Sequence, residues 1–236
     1  MELPFFKKAL LPVFNGFVDY HSHILPGVDD GVRSFEDSKK ILEEYTRLGV
    51  RKVYLTPHVM EDVPNTVEEL KKRFEELKAY LEGVKVPELV LASENMLDGL
   101  FSERLEKGEL LPLDGEHVLV ETSYYNPPYN MEELIFKLKS AGYIPLLAHP
   151  ERYRYMEKSD YEHWKNSGVH FQMNLSSLVG FYGDSARKNA EMLLKENMYD
   201  FIGTDLHRYR VLEMYEGAKL SKRIFSYLEK LIYFVR

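Results

Sequence analysis

The chain has 236 residues, 44% of them hydrophobic and 29% charged, with a formal net charge of −7 and no cysteine. That length suits one large α/β domain or two small ones, and the absence of cysteine excludes disulfides and any phosphatase or protease chemistry through a thiolate. The acidic balance reads against a protein that holds nucleic acid mainly by its phosphates, no apolar run is long enough to span a bilayer, and a chain without disulfides fits the cytoplasm.

Residues 1–16 read as an extension ahead of the first strand. Met1 to Leu11 lacks a continuous apolar core and a small-residue cleavage site, which reads against a secretory leader. Phe5, Phe6, Leu10, Leu11 and Phe14 are expected to pack on the chain's own core or, as a homo-oligomer contact, on a second subunit. The first strand is Phe17-Val18-Asp19-Tyr20-His21-Ser22-His23. Its alternation puts Asp19, His21 and His23 on one face and Val18, Tyr20 and Ser22 on the other, so two imidazoles can grip one ion. An HxH pair alone is a weak motif.

Ser34 with Asp37 reads as an acidic capping box before a helix carrying Ile41, Leu42, Tyr45 and Leu48, which Gly49 ends. Lys52 to Leu55 is a strand stopped by Thr56-Pro57, with His58 directly after. A helix over 66–82 follows, then strand 89–92 with Glu94 at its end. Residues 97–116 form a less regular connection. Strand 117–120 ends in Glu121, and the Pro-rich loop 124–129 leads into a helix over 130–140. Strand 144–148 ends in His149, with Glu151 and Arg152 just behind. A helix around 158–166 precedes strand 169–173, which ends at Asn174. A helix at 184–196 precedes strand 200–203, followed by Asp205 and His207. An amphipathic helix over roughly 212–233 closes the chain.

Seven strand–helix alternations without a Gly/Ser-rich linker predict a parallel sheet, open or closed into a barrel. His21/His23, His58, Glu94, Glu121, His149 and Asp205/His207 each lie in or just after the last residues of a strand. In a (β/α) barrel those ends share one rim, where active sites are built. His117, His163 and His170 lie at strand starts or in a helix and read as structural or surface histidines. Mixed imidazole and carboxylate ligands suit Mn, Fe or Zn better than Mg or Ca. A carboxylate such as Glu94 can bridge two ions, and multinuclear centres suit hydrolysis, of phosphoesters above all. Arg152 offers the planar bidentate donor that phosphate recognition favours; the competing role is an ion pair with Glu151 or a neighbouring carboxylate.

Asp19-Tyr20-His21-Ser22-His23-Ile24-Leu25-Pro26-Gly27-Val28-Asp29-Asp30-Gly31, Thr56-Pro57-His58, Ala148-His149-Pro150-Glu151-Arg152-Tyr153 and Gly203-Thr204-Asp205-Leu206-His207 together resemble the polymerase-and-histidinol-phosphatase (PHP) superfamily. The closer resemblance is to its CpsB/YwqE-type branch, the bacterial metal-dependent protein tyrosine phosphatases of capsular and extracellular polysaccharide systems. It covers about residues 17–210 and implies a single catalytic domain over 17–236 behind the extension 1–16. The implied fold is a distorted seven-stranded (β/α)7 TIM-like barrel with its active site at the C-terminal ends of the strands.

The resemblance further implies a trinuclear centre of Mn²⁺, up to three divalent ions, with Fe or Zn as alternatives. His21, His23, Glu94 and Asp205 would hold one ion; His58, Glu121 and His149 another, with Glu94 bridging; Asp30 and His207 would complete the third site. Arg152 would bind the substrate phosphate. The implied reaction is attack of a metal-bridging hydroxide on phosphotyrosine, with a protonated His207 or a water on the metal assisting the leaving tyrosinate. The implied partner is the tyrosine-rich tail of a polysaccharide-assembly kinase. Two departures stand out: Asn95 after Glu94, and the sixteen-residue extension. A small-molecule phosphatase (histidinol-phosphate or nucleotide type), a metal-dependent nuclease and a non-catalytic scaffold are the competing readings. Amidohydrolases also begin with HxH, but many need a carbamylated lysine at a strand end, and none of these strand ends offers one.

Overall fold

The computed structural model describes residues 7–234; Phe5 and Phe6 lie outside the described residues. In chain order the elements are β1 (Lys7–Ala9), β2 (Val18–Ser22), α1 (Phe35–Leu48), β3 (Lys52–Leu55), β4 (His58–Val59), α2 (Val67–Tyr80), β5 (Glu88–Leu91) and β6 (Glu94–Met96). There follow α3 (Phe101–Glu106), β7 (His117–Glu121), α4 (Met131–Ser140), β8 (Ile144–Ala148), α5 (Lys158–Asn166), β9 (His170–Asn174), α6 (Leu175–Leu178) and α7 (Gly183–Lys195). The chain ends with β10 (Phe201–Gly203), α8 (Arg210–Gly217), β11 (Lys219–Ser221) and α9 (Lys222–Phe234). No described helix is long and apolar enough to cross a membrane.

Local chemistry sets the helix ends. The Ser34 hydroxyl accepts the Asp37 N–H at 3.1 Å at the start of α1, and Gly49 closes it at φ 85°, a conformation that a β-carbon disfavours. Thr66 and Glu69 form a reciprocal capping box on α2, satisfying two orphan N–H groups. The inner faces of the helices pack on the parallel strands, and the central ones are buried on both sides: β7 is buried at all five positions, whereas β5 at the edge of its sheet is only partly covered.

The strands make a six-stranded parallel sheet, in the order β10-β9-β8-β7-β6-β4, and a separate three-stranded parallel sheet, β2-β3-β5. The expected closed seven-stranded barrel is corrected by this: the larger sheet curls as a half-barrel and, among the described residues, no single ladder runs round the molecule. Its breaks have local causes. β3 stops at Thr56-Pro57, where proline has no N–H for a ladder, and the chain re-enters the larger sheet as β4. β5 is interrupted at Ala92-Ser93 before β6. β10 has three residues, and Asp205 just beyond it sits at φ 52°, out of the extended region. At that edge β10 lies beside β2, the Phe201 and Tyr20 ring centres 4.9 Å apart, and backbone hydrogen bonds join the two just past β10, where the Asp205 N–H donates to His21 O at 2.7 Å and the His23 N–H to Leu206 O at 3.0 Å.

The expected closing helix over 212–233 is also corrected. Gly217 ends α8, and Lys219–Ser221 runs extended to pair antiparallel with Lys7–Ala9 before α9 begins. Leu10 and Phe14 are wholly buried in the main core, while Leu11 packs against it half-buried. A smaller apolar cluster contains Val18, Tyr54, Ala92, Leu119, Leu146 and Ala148, with Tyr20 and Phe201 packed against it. His117 and His170 meet at the N-terminal ends of β7 and β9, Nε2 to Nδ1 at 3.0 Å, and His163 is exposed on α5.

Candidate metal centre

The side chains singled out at strand ends do come together. The β2–β3 register slips by one residue between Asp19 and Ser22, a bulge that re-aims the side chains after it. Asp19 therefore does not share the histidines' environment. Its carboxylate accepts from Thr204 N (2.8 Å), Thr204 Oγ1 (2.7 Å) and the Tyr45 hydroxyl (2.8 Å), whereas His21 and His23 face each other, Nε2 to Nε2, at 3.1 Å.

Both imidazoles are oriented from behind. His21 Nδ1 lies 2.8 Å from Gln172 Oε1 and His23 Nδ1 lies 2.8 Å from Asp29 Oδ2. With acceptors there, Nδ1 is the protonated nitrogen and Nε2 turns its lone pair inward. The same void receives Glu94 Oε2, 3.1 Å from His21 Nε2 and 3.2 Å from His23 Nε2, and Asp205 Oδ1 at 3.5 and 3.3 Å. Four lone-pair donors converge, His21, His23 and Glu94 wholly buried and Asp205 nearly so at the edge of the cleft.

Beside it, His58 Nδ1 lies 3.1 Å from Glu94 Oε2 and 2.9 Å from Glu121 Oε1. All three atoms are buried and none has a hydrogen bond. Orphaned buried polar atoms are costly, and a cation between them removes the cost; the donors present fit divalent metal. His149 Nε2 lies 3.1 Å from Glu94 Oε1 and 4.0 Å from Glu121 Oε2, and by donor spacing it groups with His21 and Glu94. At the rim Asp30 Oδ1 lies 3.3 Å from His207 Nε2 and 3.6 Å from His58 Nε2. Each of the nine expected ligands belongs to at least one group of donor atoms lying within 4.8 Å of one another: His23/Asp30/His58/His207, His21/Glu94/His149, His21/His23/Asp205 and His58/Glu94/Glu121.

Charge follows the geometry. Burial opposes ionisation of Glu94, yet His21 and His58 hold its carboxyl well below the usual range. Asp205 is likewise buried and is held low by His21, His23 and Arg152. Burial works against a charge on His21, but Glu94 and Asp205 raise it to about 9.

The backbone is strained at two of these positions: His149 (φ 35°) and Asp205 (φ 52°), with Asn197, are the described non-glycine residues at positive φ. Such conformations cost about 1–3 kcal/mol and persist where the surroundings over-determine them. Behind His149 a 3-10 turn, Pro150–Arg152, carries the guanidinium back over the site. Arg152 Nη1 donates to Asp205 Oδ2 at 2.6 Å, the neighbouring-carboxylate pairing open from the sequence, and the guanidinium lies 3.8 Å from the Tyr182 ring centre and 4.4 Å from that of Tyr124. The cleft above has a volume of about 370 Å³ and is lined by His58, His149, Arg152, Tyr124, Phe181 and Tyr182 among others.

The family model for capsular polysaccharide synthesis, CpsB/CapC, matches residues 17–232. The chain belongs to the CpsB/CapC family. Among its relatives, the tyrosine-protein phosphatase YwqE of Bacillus subtilis (strain 168) is 30% identical over 198 residues, covering 82% of this chain and 78% of YwqE. The tyrosine-protein phosphatase CpsB of Streptococcus pneumoniae is 29% identical over 231 residues, covering 88% and 94%. A solved structure from work on YwqE and CpsB, described there as unique metal-dependent tyrosine phosphatases, superposes with a TM-score of 0.78 at 28% identity, over 90% of this chain and 86% of that one.

Within this CpsB/CapC chain, sequence reading missed the residues behind the donors. Asp29 was signalled only by adjoining Asp30, and Gln172 by standing in the strand that ends at Asn174. Asn174 donates to Asp205 Oδ2 at 2.8 Å. Glu151 accepts from Asn174 N (3.0 Å), Ser177 Oγ (2.7 Å) and the Tyr199 hydroxyl (2.9 Å). Tyr182 carried no signal at all.

Proposed function

We propose that the chain is a metal-dependent protein tyrosine phosphatase, with Mn²⁺ held by His21, His23, Asp30, His58, Glu94, Glu121, His149, Asp205 and His207. The observation that carries this is one cleft in which buried, convergent lone pairs without hydrogen bonds face the same space as an Arg152 guanidinium. The names of the relatives direct the choice of phosphotyrosine as substrate. The family's association with capsular polysaccharide synthesis favours a cytoplasmic partner, the tyrosine-rich tail of a polysaccharide-assembly kinase.

Divalent ions at these residues would lower the pKa of a water nucleophile and offset the charge on the phosphoryl oxygens. The chain's own groups do the rest. Arg152 uses one of its five donors on Asp205 and keeps others for phosphate oxygens. Tyr124 and Tyr182 stack on it and hold its plane. Departing tyrosinate has a conjugate-acid pKa of about 10 and needs less acid help than an alkoxide. His207, at the rim with Asp30, is placed to hold that proton when no ion engages it.

The test compares Mn²⁺-loaded wild type, His149→Ala and Arg152→Ala on a phosphotyrosine peptide, histidinol phosphate and single-stranded DNA. The expected result is phosphate release from the peptide, abolished in His149→Ala and reduced at least about 100-fold in Arg152→Ala. Preference for histidinol phosphate contradicts the substrate, and no turnover at full metal load contradicts catalysis.

A further inference from the structure

Among the described residues, Phe181 is the exposed large hydrophobic side chain on the wall of this cleft, with 42% of its surface open. The turn that presents it is specific. Gly180 (φ +82°) and Gly183 (φ +89°) bracket Phe181-Tyr182, and a residue with a β-carbon is strained at either. The Phe181 N–H donates to Ser176 O and the Gly183 N–H to Gly180 O, each at 3.1 Å, so the turn is held to the body by its backbone. The two aromatic rings then divide the work. Tyr182 is engaged, one face on Arg152 at 3.8 Å and its hydroxyl donating to Asp205 at 3.2 Å. Phe181 stands edge-on to Tyr182, ring centres 4.9 Å apart, with no polar atom to place and an apolar face left to the cleft.

The cleft is also walled by Tyr124, whose ring lies 4.4 Å from the same guanidinium. A monoester with its phosphate on Arg152 directs its ester oxygen, and the atoms beyond it, outward along this aromatic lining. In an aryl ester those atoms are a flat ring; in an alkyl ester they are a narrow methylene. We propose that Phe181 is a specificity-determining residue that packs on the aromatic ring of the bound ester and selects aryl over alkyl phosphates. This rests on the phosphatase reading above. Phe181 contributes ground-state and transition-state contact alike, so its loss appears in KM before kcat.

The experiment is calorimetric titration of the Mn²⁺-loaded protein with phenylphosphonate and, separately, inorganic phosphate, in wild type, Phe181→Ala and Phe181→Tyr. The expected outcome is that Phe181→Ala weakens phenylphosphonate about tenfold and leaves phosphate unchanged, while Phe181→Tyr retains most of the affinity. In turnover, kcat/KM for phosphotyrosine falls similarly and that for glycerol phosphate does not. Equal loss for both ligands, no loss for either, or a wild type that binds phenylphosphonate no tighter than phosphate overturns the proposal. The two readings fail separately. Phosphotyrosine turnover with unchanged selectivity in Phe181→Ala removes the subsite alone. Phenylphosphonate binding through Phe181 without any phosphotyrosine turnover removes the phosphatase and leaves the subsite.

Discussion

Single side chains behind the donors decide whether lone pairs or protons point into the centre. Gln172 and Asp29 take the Nδ1 protons of His21 and His23; without those acceptors either ring can flip or change tautomer. Gln172→Leu or Asp29→Asn should weaken Mn²⁺ binding about 10- to 100-fold, as read by metal titration of the folded variants against a competing chelator. Unchanged affinity would remove their orienting role. Protonation of His21 gives a second expectation. Its imidazole, normally near 6.5, reaches about 9 in the metal-free fold because, against burial, Glu94 and Asp205 attract the charge. Its stabilising contribution is whole below the unfolded value and is lost as pH rises through about 9. Glu94 and Asp205 are depressed below 4.5 and 3.8, so theirs is present above those values and lost on acidification. Metal-free protein should thus resist urea best between about pH 5 and 6.5, and Mn²⁺ binding should release protons and tighten as pH rises toward 9. A urea midpoint of the metal-free protein that climbs steadily to pH 9 would contradict this.

Elements bring these side chains together through turns as much as through strands. Glu151 ties the turn after β8 to the end of β9, to α6 and to Tyr199 ahead of β10. Glu151→Ala should lose about 2–4 kcal/mol by leaving three buried donors unpaired, read by chemical denaturation; a loss under about 0.5 kcal/mol, the range of an ordinary surface change, would show that the network is dispensable. Gly203 permits the close approach of β10 to β2, since a β-carbon there would stand 2.4 Å from His21 Cβ; Gly203→Ala should displace His21 and lower metal content. Much of this scale was legible beforehand. The six strands of four or five residues, the three-residue β10 and the residues at their ends follow from apolar runs punctuated by Pro, Gly and charged residues. β4 and β6 did not, because two or three residues carry no period. β11 did not either: it sits within one amphipathic run, and its partner strand lies at the other end of the chain. Pro57 was visible as a stop but not as the point where the chain passes from one sheet to the other. Of the site, the donors were legible because imidazoles and carboxylates at strand ends are few. Gln172, Asn174 and Tyr182 were not, because their roles depend on contacts with residues 30 to 151 positions away.

For the whole molecule, the sheets place donors from distant segments around one void, so metal binding and folding are linked. Free Mn²⁺ at about 100 times its dissociation constant should stabilise the fold by about 2.7 kcal/mol, raising the melting temperature by roughly 5–10 °C. A melting temperature indifferent to Mn²⁺ would contradict a resident centre. The acidic chain and its buried carboxylates are then consistent with one another, the ions supplying the positive charge that the sequence lacks. The most direct test of the account is phosphate release from a phosphotyrosine peptide by the wild-type protein, measured as purified, after exhaustive chelation, and after Mn²⁺ is returned. The account predicts release that chelation abolishes and Mn²⁺ restores. Release that survives chelation, or none after Mn²⁺ has been taken up, would contradict it.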